Sequence, residues 1–265
     1  LTNQNFTTAT NALNTAVGFN AGGAVTTGFY NTLIGGVAGD ALTDADYNVA
    51  LGMFALSADT LGSRSTAIGY GTLDTQNFTT ATNSYNVAVG YNAGTAVTTG
   101  VQNVFVGSLA GLGTTTGTQN VAVGMEALGV VAGNTNTAVG TFSLNVCTGS
   151  DNTAVGMLAG GSLTSGSNCL FVGHDAGRTG SPGGNITTAS NTLVLGDENI
   201  GACHIQTDWT VASDQRDKTD FTALDVGLDF VNALKPVTYK WDKRSKYGDK
   251  TADDYDLDNI TTDGT

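Results

Sequence analysis

The stretch SDQRDKTDF, residues 213–221, holds side chains that could cut a peptide bond. Ser213 offers a hydroxyl and Lys218 an amine five residues later, with Asp214 and Arg216 between them. A serine hydroxyl is a nucleophile only when a base removes its proton, and a lysine can do so when burial keeps its amine neutral. Taken alone, the same residues also suit a solvated loop in which Ser213 caps a turn. The sequence on both sides of this stretch is therefore needed to distinguish the two interpretations.

The charge balance of the chain restricts its function classes. The 265 residues carry a formal net charge of −13, and eight of the ten Lys and Arg residues follow residue 212. Without a basic stripe that displaces counterions, we do not expect the chain to bind nucleic acid. It contains no apolar run long enough to cross a bilayer, so we expect no membrane insertion.

Residues that commonly hold metals are too scattered to form a recognisable site. The three cysteines are Cys147, Cys169 and Cys203. They fit neither a disulfide framework nor a zinc site, and we expect plain buried thiols. His174 and His204 stand alone and suit turns or packing contacts. The acidic stretch at residues 253–259 begins like a calcium loop but lacks its glycine and closing glutamate, so we expect no metal and no cofactor.

A short phrase of the form Asn-x-Ala-Val-Gly recurs along most of the chain. It reads NTAVG at residue 14 and NVAVG at residue 120. The closing glycines of the eleven copies are 18, 35, 52, 69, 90, 107, 124, 140, 156, 173 and 196. Most of them follow one another at a nearly constant interval, and only Gly90 and Gly196 come after a clearly longer gap. A nearly fixed period predicts a repeat architecture of stacked coils.

Side chains within the phrase alternate between two types. A branched aliphatic precedes each closing glycine, as in Val123, and alanine usually precedes that aliphatic, as in Ala122. Period-2 alternation predicts a strand of about five residues with one aliphatic face and one small face. Since a lone strand cannot bury its aliphatic face, we expect coils stacked about 4.8 Å apart, with the aliphatic series from Val17 to Leu195 pointing into the core.

The small face leads to a prediction about how chains associate. A surface strand of a monomer would carry polar residues there, whereas Ala88, Ala122 and Ala138 let another backbone approach closely. We therefore expect a parallel homotrimer with the alanine face near the neighbouring chains. A globular β-sandwich is the alternative, but it does not explain why sequence and spacing recur.

The repeated phrase resembles the head repeat of trimeric autotransporter adhesins, and similar repeats occur in phage tail fibres. The resemblance covers roughly residues 10–200 and implies a left-handed parallel β-roll assembled in threes. The adhesin repeat is usually shorter than the repeat found in this chain, so handedness and coil shape stay open.

A different pattern begins near residue 207. Thr222 and Asp225 fit a capping box, apolar residues follow at helical spacing as far as Leu234, and residues 237–241 alternate as in a strand. A helix and a strand after a β-solenoid indicate a separate module.

This segment resembles the C-terminal intramolecular chaperone of phage endosialidases and tail fibres. The shared signature is Ser-Asp-x-Arg-x-Lys, an apolar helix, and Leu-Lys-Pro-Val-x-Tyr-x-Trp, which ends here at Trp241. Many members of that family cut themselves. The resemblance implies that Ser213 is the nucleophile and Lys218 the base, with Asp214 and Arg216 in support. It implies a single autoproteolytic event rather than a turnover enzyme.

Two domains are therefore expected. Residues 1–206 would form an all-β repeat rod, a parallel β-solenoid or β-roll with coils of about 17 residues. Residues 207–265 would be the N-terminal part of a small α/β chaperone and auto-processing module. We expect this module to be incomplete, because members of the family continue further beyond the serine.

The leading hypothesis is a structural and host-recognition fibre of a phage or virus tail, on the virion and extracellular. Its expected partners are two more copies of the chain, other tail or baseplate proteins, and a host-surface glycan or protein receptor. A bacterial trimeric surface adhesin is the alternative, although an adhesin would continue into a coiled-coil stalk and a membrane anchor. A polysaccharide-degrading tailspike would need two positioned carboxylates, and the acidic residues of the rod are scattered.

Overall fold

The chain forms a parallel β-solenoid, as the repeat predicts. The computed structural model describes residues 11–130 and 133–204. Their thirteen strands are β1 (Thr15–Val17), β2 (Thr32–Ile34), β3 (Val49–Leu51), β4 (Gly62–Ser63), β5 (Thr66–Ile68), β6 (Thr82–Asn83), β7 (Val87–Val89), β8 (Val104–Val106), β9 (Val121–Val123), β10 (Thr137–Val139), β11 (Thr153–Val155), β12 (Leu170–Val172) and β13 (Leu193–Leu195). No helix occurs among these described residues.

Eleven strands pair side by side in one parallel sheet, in the order β1-β2-β3-β5-β7-β8-β9-β10-β11-β12-β13. Each strand is paired with the equivalent residues of the next coil, so Ala122 of β9 lies beside Ala138 of β10. The strands are three residues long rather than about five, because the closing glycine begins a bend: Gly107 has a φ of 133°. The short strands β4 and β6 pair separately. One coil per repeat is confirmed.

The structure corrects the predicted orientation of the strand faces. Ala88, Ala122 and Ala138 are fully buried inside their own coils, whereas Val17 is 58% and Val155 42% exposed. The small face therefore lines the interior of the chain rather than a contact with neighbouring chains. The aliphatic series that was expected to point inward lies on the outside of the sheet.

Packing inside the narrow coil explains this orientation. Phe105, at the inward position of β8, lies so close to the opposite wall that a Cβ on Gly111 would be 2.4 Å from its Cδ1 atom. A Cβ on Gly94, in the preceding coil, would be 2.7 Å from Cδ2 of the same ring. The two walls of a coil are thus too close for a large side chain on both, and alanine is the usual occupant of the strand.

Large and small residues are matched across the coil. The matched position is the fourth residue after the closing glycine. In four coils whose strand contributes alanine, this residue is a fully buried leucine: Leu56, Leu73, Leu128 and Leu144. Where the strand contributes a large residue, it is glycine, as for Phe105 with Gly111 and Phe171 with Gly177. Three further alanine coils also carry glycine at the fourth position, and at Gly94 and Gly160 the ring of the next coil lies against that glycine. The interior is thus filled by neighbouring coils together, as the close packing of protein interiors requires.

A column of buried asparagines runs beside the sheet and links successive coils. Asn120 Oδ1 accepts the backbone N–H of Asn136 at 2.9 Å, and its Nδ2 donates to the carbonyl oxygen of Gly133 at 2.9 Å. The same pair of contacts recurs at Asn14, Asn31, Asn48, Asn86, Asn103, Asn136 and Asn152. Because each amide satisfies backbone groups of the bends, the repeated phrase begins with asparagine.

Candidate functional site

The predicted catalytic residues lie outside the described part of the chain. These are Ser213, Lys218, Asp214 and Arg216. The acidic stretch at residues 253–259 also lies there. Their roles therefore stay predictions. The functional features that the structure does describe belong to the solenoid.

The largest of these features is the outer surface of the eleven-stranded sheet, here termed the aliphatic face. Its first row is the residue before each closing glycine: Val17, Ile34, Leu51, Ile68, Val89, Val106, Val123, Val139, Val155, Val172 and Leu195. Its second row lies two residues earlier: Thr15, Thr32, Val49, Thr66, Val87, Val104, Val121, Thr137, Thr153, Leu170 and Leu193. In the first row Leu51 is 45% and Leu195 43% exposed. Ten inter-strand steps make the face about 48 Å long.

Large side chains extend this face on one edge. The residue after the closing glycine is exposed and large in several coils: Phe19, Met53, Tyr70, Tyr91, Met125 and Met157. The rings of Tyr70 and Tyr91 stack with centroids 5.6 Å apart. An extended, largely apolar surface of this kind is uncommon on a monomer and indicates a contact with another macromolecule.

One carboxylate is buried where the asparagine column is interrupted. Asp59 Oδ2 accepts a hydrogen bond from Gln76 Nε2 at 2.6 Å, and its Oδ1 accepts the backbone N–H groups of Gly62 and Phe78 at 3.0 and 3.2 Å. Burial raises the pKa of Asp59, against the lowering effect of these hydrogen bonds. With three donors around it the group is a structural anchor of the longer coil.

The cysteines and His174 differ partly from expectation. Cys147 and Cys169 are buried thiols, as predicted, but Cys203 is exposed. Burial raises the pKa of Cys147, which keeps this thiol protonated. His174 is an exposed residue whose Nδ1 lies 3.2 Å from Asp197 Oδ2, so it takes part in a surface ion pair when protonated. No group of three metal-binding side chains occurs among the described residues.

The comparisons with known proteins bear on the C-terminal segment. Residues 213–257 match a family model described as the chaperone of endosialidase. This match confirms the resemblance of that segment to the chaperone. Searches of curated proteins and of solved structures gave no match. In the described part of the chain, no helix has the length and apolarity needed to cross a bilayer.

Sequence reasoning identified the components of the aliphatic face but assigned them to the interior. One pattern could have found the correct orientation. A leucine or phenylalanine in the strand always occurs with glycine at the fourth position after the closing glycine, as in Phe105 with Gly111. A leucine at that fourth position always occurs with alanine in the strand, as in Ala122 with Leu128. Two residues that compensate each other in volume lie in contact, which places the alanine row inside.

Proposed function

We propose that the chain is part of a homotrimeric host-recognition fibre of a phage or virus tail. Its solenoid forms the projecting structure, and the segment from Ser213 directs trimer assembly and then separates by cutting the chain beside Ser213. The observation that carries the proposal is the aliphatic face, an exposed apolar surface along eleven strands, in the same chain as a match to the chaperone of endosialidase.

The proposed subunit contact is the aliphatic face rather than the alanine row. Association of three parallel chains through this face would remove two rows of side chains from water, at about 25 cal/mol for each Å² of apolar surface buried. The repeat makes the contact prone to slip, because near-identical coils can pair one step out of register. A terminal module that trimerises first would hold the three chains in register while their coils pair. This gives a physical reason why a chaperone module would follow a repetitive solenoid.

The test of the subunit contact is a charge on the aliphatic face. Val123 is half-buried on this face in one chain and would be fully buried in a trimer. We expect Val123→Asp to turn a trimer into monomers that keep the β circular dichroism spectrum, because an unpaired carboxylate would have to be buried between chains. Thr116→Asp, at an exposed threonine in the same coil, is the matched control and should remain trimeric.

Analytical ultracentrifugation measures the oligomeric state of each variant. A wild-type solenoid that stays monomeric at high protein concentration would exclude the trimer. A trimeric Val123→Asp variant would place the subunit contact elsewhere.

The test of the auto-processing step uses the complete gene product as wild type, Ser213→Ala and Lys218→Ala. Wild type should give two fragments divided beside Ser213, whereas both variants should stay full length and still assemble. Intact-mass spectrometry and native gels read the two outcomes separately. A wild type that remains whole would remove the proteolytic role and leave only the chaperone role.

A further inference from the structure

An exposed column of three tyrosines and one arginine runs along four neighbouring coils. It consists of Tyr30, Tyr47, Arg64 and Tyr85, each the residue before the start of the repeated phrase, and is here termed the tyrosine–arginine column. The rings of Tyr30 and Tyr47 stack with centroids 5.0 Å apart and an interplanar angle of 19°. Arg64 Cζ lies 4.8 Å from the ring centroid of Tyr47 and 5.8 Å from that of Tyr85.

The guanidinium of Arg64 is held in place but largely unpaired. Its Nε donates to Asn83 Oδ1 at 3.0 Å, while its terminal nitrogens have no hydrogen-bond acceptor among the described residues. It forms no ion pair with a described carboxylate, and it is the only Lys or Arg between residues 11 and 130. A guanidinium fixed between two rings loses little freedom on binding, so its open fork is preorganised for a ligand.

The backbone conformation at these positions does not favour these residue types. All four adopt the left-handed region, with φ of 59° at Tyr30, 58° at Tyr47, 67° at Arg64 and 50° at Tyr85. Asparagine, aspartate and glycine adopt this conformation at less cost. The equivalent position in later coils is polar, as in Asp151. The aromatic and basic residues are thus confined to one patch.

The residue types of the tyrosine–arginine column suit a ligand that carries both a carboxylate and sugar hydroxyls. We propose that the tyrosine–arginine column binds a carboxylate-bearing saccharide chain, which identifies the receptor class and rests on the host-recognition function proposed above. The guanidinium fork matches a planar carboxylate through two parallel hydrogen bonds. The hydroxyls of the exposed tyrosines can donate to and accept from sugar hydroxyls.

The shape of the patch also suits a chain molecule. Three inter-coil steps spread the column over about 15 Å of open surface, so that an extended ligand can contact several coils. The exposed fractions of 45% at Tyr30, 44% at Tyr47 and 49% at Tyr85 leave the ring edges and hydroxyls accessible. Tyrosine presents a large rigid surface with a polar end, which suits recognition of a partly apolar sugar ring.

A nearby carboxylate, that of Asp46, interacts electrostatically with Arg64. The Asp46 carboxylate accepts the backbone N–H of Phe29 at 3.0 Å. Burial raises the pKa of Asp46, and Coulomb attraction to Arg64 is one of the smaller effects that oppose this rise. The negative charge of Asp46 therefore weakens the attraction between Arg64 and an anionic ligand. An asparagine in its place could still accept the Phe29 N–H while the competing charge is removed.

The experiment measures binding of the full 265-residue chain to three acidic oligosaccharides, by titration calorimetry. The probes are oligomers of galacturonic acid, hyaluronan and sialic acid, each beside its methyl ester. We expect at least one acid to bind and its ester to bind about tenfold more weakly, because the ester lacks the charge that the fork requires. Absence of binding to all three acids, or equal binding of acid and ester, would overturn the proposal.

The variants locate the site. Arg64→Lys keeps the charge but not the fork and should weaken binding about tenfold, whereas Asp46→Asn should strengthen it severalfold. Tyr47→Phe should weaken it, and Tyr91→Phe, in the tyrosine stack on the other edge of the sheet, is the matched control that should change nothing. Unchanged binding by the Arg64 variant would overturn the site.

Two readouts separate this inference from the fibre function. If Arg64→Lys dissociates the trimer in ultracentrifugation, the column is a subunit contact and not a receptor site. If wild type and Arg64→Lys bind host cells equally, the fibre function stands and the saccharide site fails. If the wild-type trimer binds neither cells nor saccharide, both fail.

Discussion

The packing inside the coil leads to a compensation experiment at Phe105. Phe105→Ala removes a fully buried ring between two glycines, Gly94 and Gly111, where neither wall offers a side chain to fill the space. Coil-to-coil hydrogen bonds hold the backbone on both sides, such as Gly111 N to Ala127 O at 2.9 Å, so the coil cannot collapse. We expect a loss of about 3–5 kcal/mol in the free energy of unfolding, as for other buried phenylalanines.

Gly111→Leu should have opposite effects in two backgrounds. In the wild type its Cβ would lie 2.4 Å from the Phe105 ring, and overpacking costs about 1–3 kcal/mol in addition to about 1–2 kcal/mol for the left-handed backbone. In Phe105→Ala the leucine recreates the pair of Ala122 with Leu128, where leucine adopts a φ of 51°. The double variant should therefore be more stable than either single variant, with a coupling energy of about 3 kcal/mol.

Guanidinium unfolding followed by circular dichroism measures the four proteins, all at one concentration. Phe105→Leu is the control, because Leu33 stands at the same position opposite Gly39 in another coil, and it should cost less than about 1.5 kcal/mol. Additive effects of Phe105→Ala and Gly111→Leu would refute the matched-volume explanation of the interior. The space beside Gly94 remains in the double variant, so full recovery is not expected.

Two further perturbations test the bends and the buried carboxylate. Gly107→Ala should lower the free energy of unfolding by about 3 kcal/mol, because φ is 133° and the new Cβ would lie 2.7 Å from the carbonyl oxygen of Gly124. Gly36→Ala is the control: its Cβ would meet only Met53 Cγ at 3.8 Å, and we expect a loss of less than about 1 kcal/mol. Thermal unfolding measures both variants. Burial raises the pKa of Asp59 above its ordinary value of 3.8, so the folded chain binds this proton more tightly, and that stabilisation is lost as pH rises through the folded pKa. Wild type should therefore lose stability relative to Asp59→Asn in denaturant midpoints as the pH rises above about 4; a constant difference would contradict this.

The coil architecture could be predicted because its signals are local and repeated. Each glycine lies where the backbone needs a conformation that side chains avoid, as at Gly107 and Gly140 with φ of 133° and 131°. The intervals between these glycines set the pairing of equivalent residues, such as Val106 with Val123. Period and register thus follow from sequence alone.

The orientation of the strands could not be predicted from alternation. Period 2 separates Val123 from Ala122 but does not say which row faces inward, and hydrophobicity alone favours the larger residue. The width of the coil decides the matter, since Phe105 already reaches the backbone of the opposite wall. This width is a property of the closed coil and of no single strand.

The two candidate sites also differ in whether the sequence alone could predict them. The signature from Ser213 to Trp241 is contiguous enough to be read in sequence, and the family match over residues 213–257 supports it. The tyrosine–arginine column has no local motif, because Tyr47, Arg64 and Tyr85 each belong to a different copy of the repeat. Only the stacking of coils makes them neighbours.

The inside-out arrangement of the strands couples folding to association in the proposed trimer. Each coil buries small residues such as Ala122 and Ala138 inside, while Val123 and Val139 remain outside. Hydrogen bonds contribute only about 1 kcal/mol each in net terms, so the asparagine column fixes geometry more than it drives folding. Beyond the leucines and phenylalanines that the coils already bury, the aliphatic face holds further apolar surface, which would be removed from water only when chains meet. The measured unfolding free energy should therefore depend on protein concentration, and it should lose that dependence in Val123→Asp.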